Sequence, residues 1–588
     1  MTFAAPVAEI AFALKHAIGF ERLGRAGPFA ELGEDVLEAV LAEAGKFATE
    51  VIAPLNGPGD RHGTPFRDGK VTMPPGWKEA YVRWTAGGWN GLAAPAEWGG
   101  QSLPHSVNAA CIEMWNAAAM AFGLGPFLTM GAVEALAAHA NEALKRTFLP
   151  KLVSGEWMGT MQLTEPQAGS DVGALRTRAE RVADGTYRIT GQKIFITYGE
   201  HDLTDNIIHL VLARLPDAPP GHRGISLFLV PKFLVNPDGS LGARNDVRCH
   251  AIEHKLGIHA SPTCTMVYGD NGGAVGFLVG EENRGLACMF TMMNNARLNV
   301  GLQGVAIAER ATQQALAYAR ERRQGHAGGG ANGPSPIVVH PDVRRMLLTM
   351  RALTRAARAI CYATAVAIDE SRSATGNARA AHERASLLTP VAKAFSTDIG
   401  TEVASLGVQV HGGMGYIEET GAAQHYRDAR IAQIYEGTNG IQAIDLVMRK
   451  LPLSGGAAVR AYIDGLRDIA AAVARSNNPG FGKTAEKLQE ATEALARATD
   501  WLLARLDARP EAALAGATPY LRLFGTAAGG TALASEALTA IRRGHPSGPE
   551  GVALARFFAE NIAVQASGLE AAVIEGAESL EAASLPAA

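Results

Sequence analysis

Residues 185–217 read GTYRITGQKIFITYGEHDLTDNIIHLVLARLPD, and their texture is that of strands and turns. Thr186 to Thr197 alternates around Gly191, the pattern of a hairpin, and NIIHLVLARL (206–215) is a short apolar run closed by a proline. GISLFLVP (224–231) and TCTMVYGD (263–270) continue in the same manner, punctuated by Gly, Asp and Pro. A compact β-domain is therefore predicted over residues 159–280.

Outward from this block the apolar period changes from two to that of a helix. Upstream, ELGEDVLEAVLAEAGKFATEVIAPL (31–55) spaces its apolar residues by three and four and stops at a proline. Residues 107–121 and 131–149 repeat the pattern, so 1–158 reads as a helical domain. Residues 117–133 are uncharged, but Gly125-Pro126 interrupts them and a membrane span needs about 20 apolar residues; a buried helix followed by a loop is expected. Downstream, amphipathic stretches at 289–323, 342–373 and 380–407 give a second helical domain over 281–452, with GHAGGGANGPSP (325–336) as a flexible loop. After LPLSGG (451–456) the Ala-rich remainder, 453–588, forms a further helical domain broken at SNNPGFGK (476–483). The fold class is mainly α with a central β-domain.

At 588 residues the chain exceeds the ~250–300 at which single cores stop growing, so several domains are required. A net charge of −4, from 54 basic and 58 acidic residues, supplies no field for nucleic acid or an anionic membrane. Five scattered cysteines without a C-x-x-C pair argue against a disulfide framework or structural zinc, and fit a reducing, cytoplasmic setting. The N-terminal stretch has no basic region followed by an apolar block, so no secretory signal is expected.

Four segments could carry chemistry, and each also has a bland reading. MQLTEPQAGSD (161–171) exposes backbone N–H groups and hydroxyls suited to a polar ring edge or a phosphate, or is simply a decorated turn. KIFITYG (193–199) offers Phe195 to a flat ring and Thr197 as a hydrogen-bonding partner, or is a core strand. QVHGGMGY (409–416) allows close backbone approach to a pyrophosphate without being the G-x-G-x-x-G fingerprint; His411 reads as packed, not metal-binding. IYEGTNGIQ (434–442) places Glu436 beside apolar neighbours, where burial would raise its pKa and make it a base; a loop glutamate is otherwise solvated.

Taken in order, with MMNNARL (292–298) and YARERRQ (318–324), these segments resemble the flavin-dependent acyl-CoA dehydrogenase family over about residues 35–450. The resemblance implies a helical domain, a β-barrel-like domain and a four-helix bundle, with FAD as cofactor. It assigns Met161, Leu163, Thr164, Gly169 and Ser170 to the flavin and its phosphates, and Phe195, where the family often has tryptophan, to covering the ring with Ile196. Thr197 would meet flavin N5. Arg322, Gln409, Gly412 and Gly413 would hold the adenosine-diphosphate half of an FAD in the neighbouring subunit, and Thr438 and Asn439 would touch the flavin on the catalytic side.

Glu436 matches the family's base. It would take the α-proton of an acyl-CoA thioester while the β-hydrogen leaves as hydride, giving a trans-2-enoyl-CoA, with the Glu436 N–H and a ribityl hydroxyl stabilising the thioester oxygen. Members that place the base beside the arginine of the first helix after the β-domain have no counterpart here, since Ala296 precedes Arg297. Ser170, Asn294, Arg297 and Tyr435 are the expected substrate contacts, and no metal is expected. The family's later arginine falls at Met448, with Arg449 adjacent. The tail beyond 453 is similar to that of long forms, among them enzymes acting on 3-(methylthio)propanoyl-CoA, which implies that substrate, an electron-transfer flavoprotein as acceptor, and a homodimer. A medium- or long-chain acyl-CoA dehydrogenase, a flavin oxidase and a non-catalytic assembly factor of the same fold are the alternatives.

Overall fold

The computed structural model describes residues 3–327, 333–372 and 378–584, apart from 21, 22, 24–28, 30 and 31. Ser373 and residues 328–332 of the predicted flexible loop lie outside the described residues. In chain order the helices before the sheet include α1 (Val7–Phe12), α2 (Glu34–Phe47), α3 (His105–His139) and α4 (Glu142–Ser154). The strands of the main sheet are β1 (Met158–Gln162), β2 (Arg178–Arg181), β3 (Tyr187–Thr197), β4 (Ile207–Arg214), β5 (Ile225–Pro231), β6 (Val247–Ile252), β7 (Thr263–Tyr268) and β8 (Ala274–Val279). Then follow α5 (Gly285–Glu321), α6 (Pro341–Ser371), α7 (Ala378–His411) and α8 (Asn439–Asp445). The tail supplies α9 (Ala457–Arg475), α10 (Thr484–Leu503), α11 (Ala517–Arg542), α12 (Gly548–Asn561) and α13 (Ala566–Ala582). By packing, the chain forms two compact units: one from residues 46–104 and 118–296, the other from 1–45, 105–117 and 297–588.

The first unit is built on an eight-stranded sheet in the order β6-β7-β3-β8-β5-β4-β1, with β2 joined to β3 and β4. Neighbours are antiparallel except where β1 and β2 run parallel to β4. Strand β5 is buried at every position and β4 at all but its last, which is why both read as unbroken apolar runs. The expected hairpin at 186–197 is instead one strand, β3, bent at Gly191. Its first half pairs with β2 and β8 and its second half with β7. Gly191 has φ 153°, and a Cβ there would stand 2.6 Å from Thr177 Oγ1, so glycine is what lets the strand turn this corner.

The expected loop after residue 125 is also absent: helical structure continues through Pro126 to His139, and the break falls at Ala119 (φ −158°, ψ 102°). The Tyr198 hydroxyl donates to the Ala121 carbonyl at 2.7 Å, just past this break. Gly125 admits the Met158 methyl to within 2.5 Å of where a Cβ would be, so close packing overrides the local breaker. By length and composition α3 could cross a membrane, but 94% of its apolar stretch is buried in the protein, the position of a core helix.

The second unit is helical and tightly packed through small residues. A Cβ at Gly301 would lie 2.5 Å from the Ala392 carbonyl oxygen, and one at Gly304 2.2 Å from that of Ser396, so α5 and α7 meet backbone to backbone. In the tail, a Cβ at Gly525 would lie 2.2 Å from the Phe395 ring and one at Gly529 2.8 Å from the Ala356 Cβ, which sets α11 against α7 and α6. Arg358 is buried among carboxylates from three other helices: Glu113 of α3 at 2.7 Å, Glu309 of α5 at 2.8 Å, and Glu9 of α1. Tyr362 donates to the far oxygen of Glu113 at 2.7 Å, and Arg355 pairs with Glu536 of α11. Asp369 of α6 caps the start of α3, accepting from the His105 and Ser106 N–H groups at 2.7 and 2.9 Å.

Candidate active site

Glu436 stands on the turn between the short helix Arg430–Gln433 and α8, with its own backbone at φ 56° and Gly437 at φ 83°. A left-handed glutamate costs of order 1–3 kcal/mol and persists only where its surroundings fix it. The Thr438 hydroxyl caps α8 by accepting from the Ile441 N–H at 3.3 Å, and Gln442 Nε2 donates to the Glu436 and Gly437 carbonyls at 3.3 and 3.4 Å. Helix α7 grips the turn at both ends. Asp398 Oδ1 accepts from Gln433 Nε2 at 2.6 Å and from Asn439 Nδ2 at 2.7 Å, while Lys393 Nζ donates to Asn439 Oδ1 at 2.8 Å. Among the described residues the Glu436 N–H has no acceptor, leaving it available to a ligand oxygen.

Glu436 keeps part of its surface accessible, yet the protein crowding its carboxyl dominates: withdrawal from water pushes the pKa up to about 7, against the pull of Arg297 and Lys393. A carboxyl poised there can exchange a proton at neutral pH. Lys393 is fully buried, and burial brings it down to about 7 although Glu436 and Asp398 favour its charged form. Arg297 is also buried; its Nη1 lies 3.8 Å from Asp445 Oδ2 and its Nε has no partner among the described residues. Burial lowers its pKa, with Asp445 and Glu436 opposing. The expected CoA contact thus faces the base and Asp445 from inside the helical unit. Tyr435 is likewise tied inward: its hydroxyl donates to Gln303 Oε1, and Gln303 Nε2 donates to Asn116 Oδ1 at 3.2 Å. Asn294 is exposed.

In the sheet unit, β3 carries a bulge where Ile194 and Phe195 together oppose Thr265, between the pairs Lys193–Met266 and Ile196–Cys264. Phe195 takes φ 60° and is left 58% exposed, an aromatic face turned out of the sheet. Ile196 turns into the core, so only its backbone is available to a ligand. The hydroxyls of Thr164, Ser170 and Thr197 have no protein partner among the described residues; Met161, Leu163 and Thr164 are half-buried, and Gly169 is open, with no atom near a Cβ built on it.

Two residues unremarked in the sequence hold this loop. Glu165 accepts from Lys193 Nζ at 2.8 Å, from the Thr177 hydroxyl at 2.6 Å and from the Arg176 and Thr177 N–H groups at 2.7 and 3.0 Å. Lys193 also donates to the Leu163 carbonyl at 3.1 Å, pinning loop 163–170 to the strand that bears Phe195. Burial alone would raise the Glu165 pKa; Lys193 and the donated hydrogen bonds outweigh it and hold the carboxyl at about 2.

In the helical unit, His411 is buried, stacks on Tyr318 at 4.4 Å and bonds the Gly407 carbonyl at 2.7 Å. That stack sets the turn Gly412-Gly413 beside the end of α5, one turn before Arg322, which is exposed, as is Gln409. Gly412 has φ 60°, and a Cβ on either glycine would meet nothing within 4 Å. Asn439, expected at the flavin, spends its side chain on α7. Unpartnered hydroxyls beside an outward aromatic, and an open glycine turn beside a guanidinium, fit a flavin ring and a pyrophosphate respectively.

Family models match most of the chain. "Acyl-CoA dehydrogenase, N-terminal domain" matches residues 34–156, the middle domain 160–271 and the C-terminal domain 283–451, while "Acetyl-CoA dehydrogenase C-terminal like" matches 462–584. The chain is 48% identical over 594 aligned residues to 3-methylmercaptopropionyl-CoA dehydrogenase of Ruegeria pomeroyi, covering 100% of both chains. It is 37% identical to a butyryl-CoA dehydrogenase of Syntrophomonas wolfei, over 78% of this chain and 77% of that one. An acyl-CoA dehydrogenase complexed with FAD from Bacillus anthracis shares the fold at TM-score 0.75 and 21% identity, over 94% of this chain and 90% of that one. The chain belongs to the acyl-CoA dehydrogenase family: it is an FAD-dependent oxidoreductase acting on the CH–CH bond of an acyl-CoA thioester.

Proposed function

We propose that this enzyme desaturates a short acyl-CoA, with 3-(methylthio)propanoyl-CoA the preferred substrate, and that Glu436 is its base. The observation carrying the base is the strained, α7-gripped turn that presents a carboxyl with a pKa near 7. Support for the substrate is the full-length 48% identity to the Ruegeria pomeroyi enzyme of that name; the butyryl-CoA dehydrogenase relative makes butyryl-CoA the second substrate to test.

Glu436 removes the α-proton and holds it as a neutral carboxylic acid. Its free N–H donates a hydrogen bond to the thioester oxygen as negative charge develops there, which makes the α-carbon acidic enough to lose that proton. Bound FAD supplies the acceptor for the β-hydrogen as hydride. Thr164, Ser170, Thr197 and Phe195 would hold the flavin, with Met161, Leu163, Gly169, Ile196 and Thr438 contributing backbone or edge contacts. Arg322, Gln409, Gly412 and Gly413 would hold the pyrophosphate. Arg297 keeps the base turn electropositive, and Ser170, Asn294 and Tyr435 border the substrate.

The reading extends to a cytoplasmic homodimer passing electrons to an electron-transfer flavoprotein. Its four sequence segments, 1–158, 159–280, 281–452 and 453–588, would act as domains, with the last covering a bundle face used for tetramers in shorter members. The test is anaerobic bleaching of the yellow holoenzyme by a panel of saturated acyl-CoAs. Bleaching by the methylthio and butyryl thioesters, lost by at least ~10²-fold in Glu436→Gln, is expected. Preference for long chains overturns the substrate, and a Gln variant near wild-type rate overturns the base.

A further inference from the structure

Lysine 393 has no part in the chemistry above, yet its burial needs a reason. It lies mid-helix on α7 with no exposed surface, and Nζ makes its hydrogen bond to Asn439 Oδ1 at 2.8 Å, three residues beyond the base. No carboxylate forms an ion pair with it within 4 Å among the described residues. Burying an ammonium in this way is costly unless nearby charge compensates it. The charged groups that bear on it are Glu436 from the base turn, Asp398 from α7 and Arg297 from α5. Those bearing on Glu436 are Arg297 and Lys393, with Tyr435 beside it; Asp445 and Arg449 act on Arg297, and Asp428 on Tyr435.

Resting on the assignment of Glu436 as base, we propose that Lys393 is a positioning residue for it, gripping the base turn through Asn439 and supplying a buried positive charge that keeps the carboxylate ionised before substrate arrives. The hydrogen bond and the charge are separable roles. Asn439 is held from its other side by Asp398 at 2.7 Å and Thr397 at 3.0 Å, so the turn has anchors besides the lysine. The charge has only Arg297 as a companion, and Arg297 is shared with Asp445. Without Lys393 the carboxyl holds its proton to higher pH. Proton abstraction is then lost at low pH and restored at high pH. Burial pushes each toward its neutral form, Glu436 up to about 7 and Lys393 down to about 7, and the charge of each opposes that push on the other.

The test uses holoenzyme and follows the rate of anaerobic bleaching by butyryl-CoA and by 3-(methylthio)propanoyl-CoA between pH 5.5 and 9. Lys393→Met should move the acidic limb of the profile up by about one pH unit, a roughly tenfold loss at pH 6 that closes toward pH 9. Lys393→Arg should keep the wild-type limb. If the Met variant does not fold, Lys393→Gln makes the same comparison with a polar side chain that lacks the charge. A rate lowered equally at every pH, with the limb unmoved in the neutral variants, overturns the proposal. Glu436→Gln run alongside separates the two readings. An inert Gln variant with an unmoved limb in the lysine variants sinks only the role of Lys393; an active Gln variant sinks the base assignment and this proposal with it.

Discussion

Replacing Glu436 by glutamine should make the resting enzyme more stable, and more so as pH rises. In the folded chain the carboxyl is pushed up to about 7 from an ordinary 4.5, chiefly because its charged form is withdrawn from water. The native state therefore keeps a proton that the unfolded chain releases between those values. The stabilisation this proton brings is complete below 4.5 and is lost as pH climbs through 7. The difference is about 3 kcal/mol, nearer 2 after allowing for the accessible part of the side chain. Glutamine mimics the protonated acid at all pH values and escapes the loss.

Thermal unfolding of wild-type and Glu436→Gln holoenzymes, without substrate, should give nearly equal midpoints at pH 5 and a lead of about 2 °C for the variant at pH 8. Parallel midpoints across that range, or a wild type that gains on the variant with pH, would refute the reasoning. Such an outcome would mean that the carboxyl is solvated and its charge costs the fold nothing.

Two further outcomes follow from the buried ion pairs. Arg358→Met leaves Glu113 and Glu309 without their counter-charge and should cost about 3–5 kcal/mol, read as a lower urea midpoint at pH 7.5, with partial recovery in the Arg358→Met/Glu113→Gln double variant. Lys193→Met strands Glu165 and frees the Leu163 carbonyl, so flavin should be released on gel filtration from a protein whose helical signal is intact; full retention of flavin would remove the pair from the cofactor's support.

Periodicity located the strands and long helices because each records which face is covered. It failed where covering came from afar. Gly191 looked like a turn because alternation continues on both sides of it, but the reason for glycine is Thr177 pressing on the bend. Gly125-Pro126 looked like a helix end, and only the packing around it shows why the helix runs on. Glu436 is legible through its motif, but its left-handed backbone is not, since the residues of YEGTNG that advertise positive φ are its glycines and asparagine and not the glutamate. Lys393 was invisible for a different reason. A lysine on a helix reads as solvated, and its partner Asn439 lies 46 residues away. Arg297 is expected to contact CoA, and its burial against Asp445 depends on α5 and α8 meeting, which no local pattern encodes. Phe195 was singled out as a ring-facing residue, but its exposure comes from a bulge that requires knowing the register against Thr265.

The bare glycines of α11 carry a consequence for anyone trimming this protein to the size of its shorter relatives. Where Gly525 and Gly529 lie against Phe395 and Ala356, the bundle's side chains are covered by the tail's naked backbone. A chain ending near residue 452 would therefore not be a smaller enzyme with an appendage removed. It would be a bundle with an open apolar furrow along α6 and α7, primed to recruit a second copy of itself or to precipitate, and rescuing it would call for redesigning that furrow, not for shortening the cut.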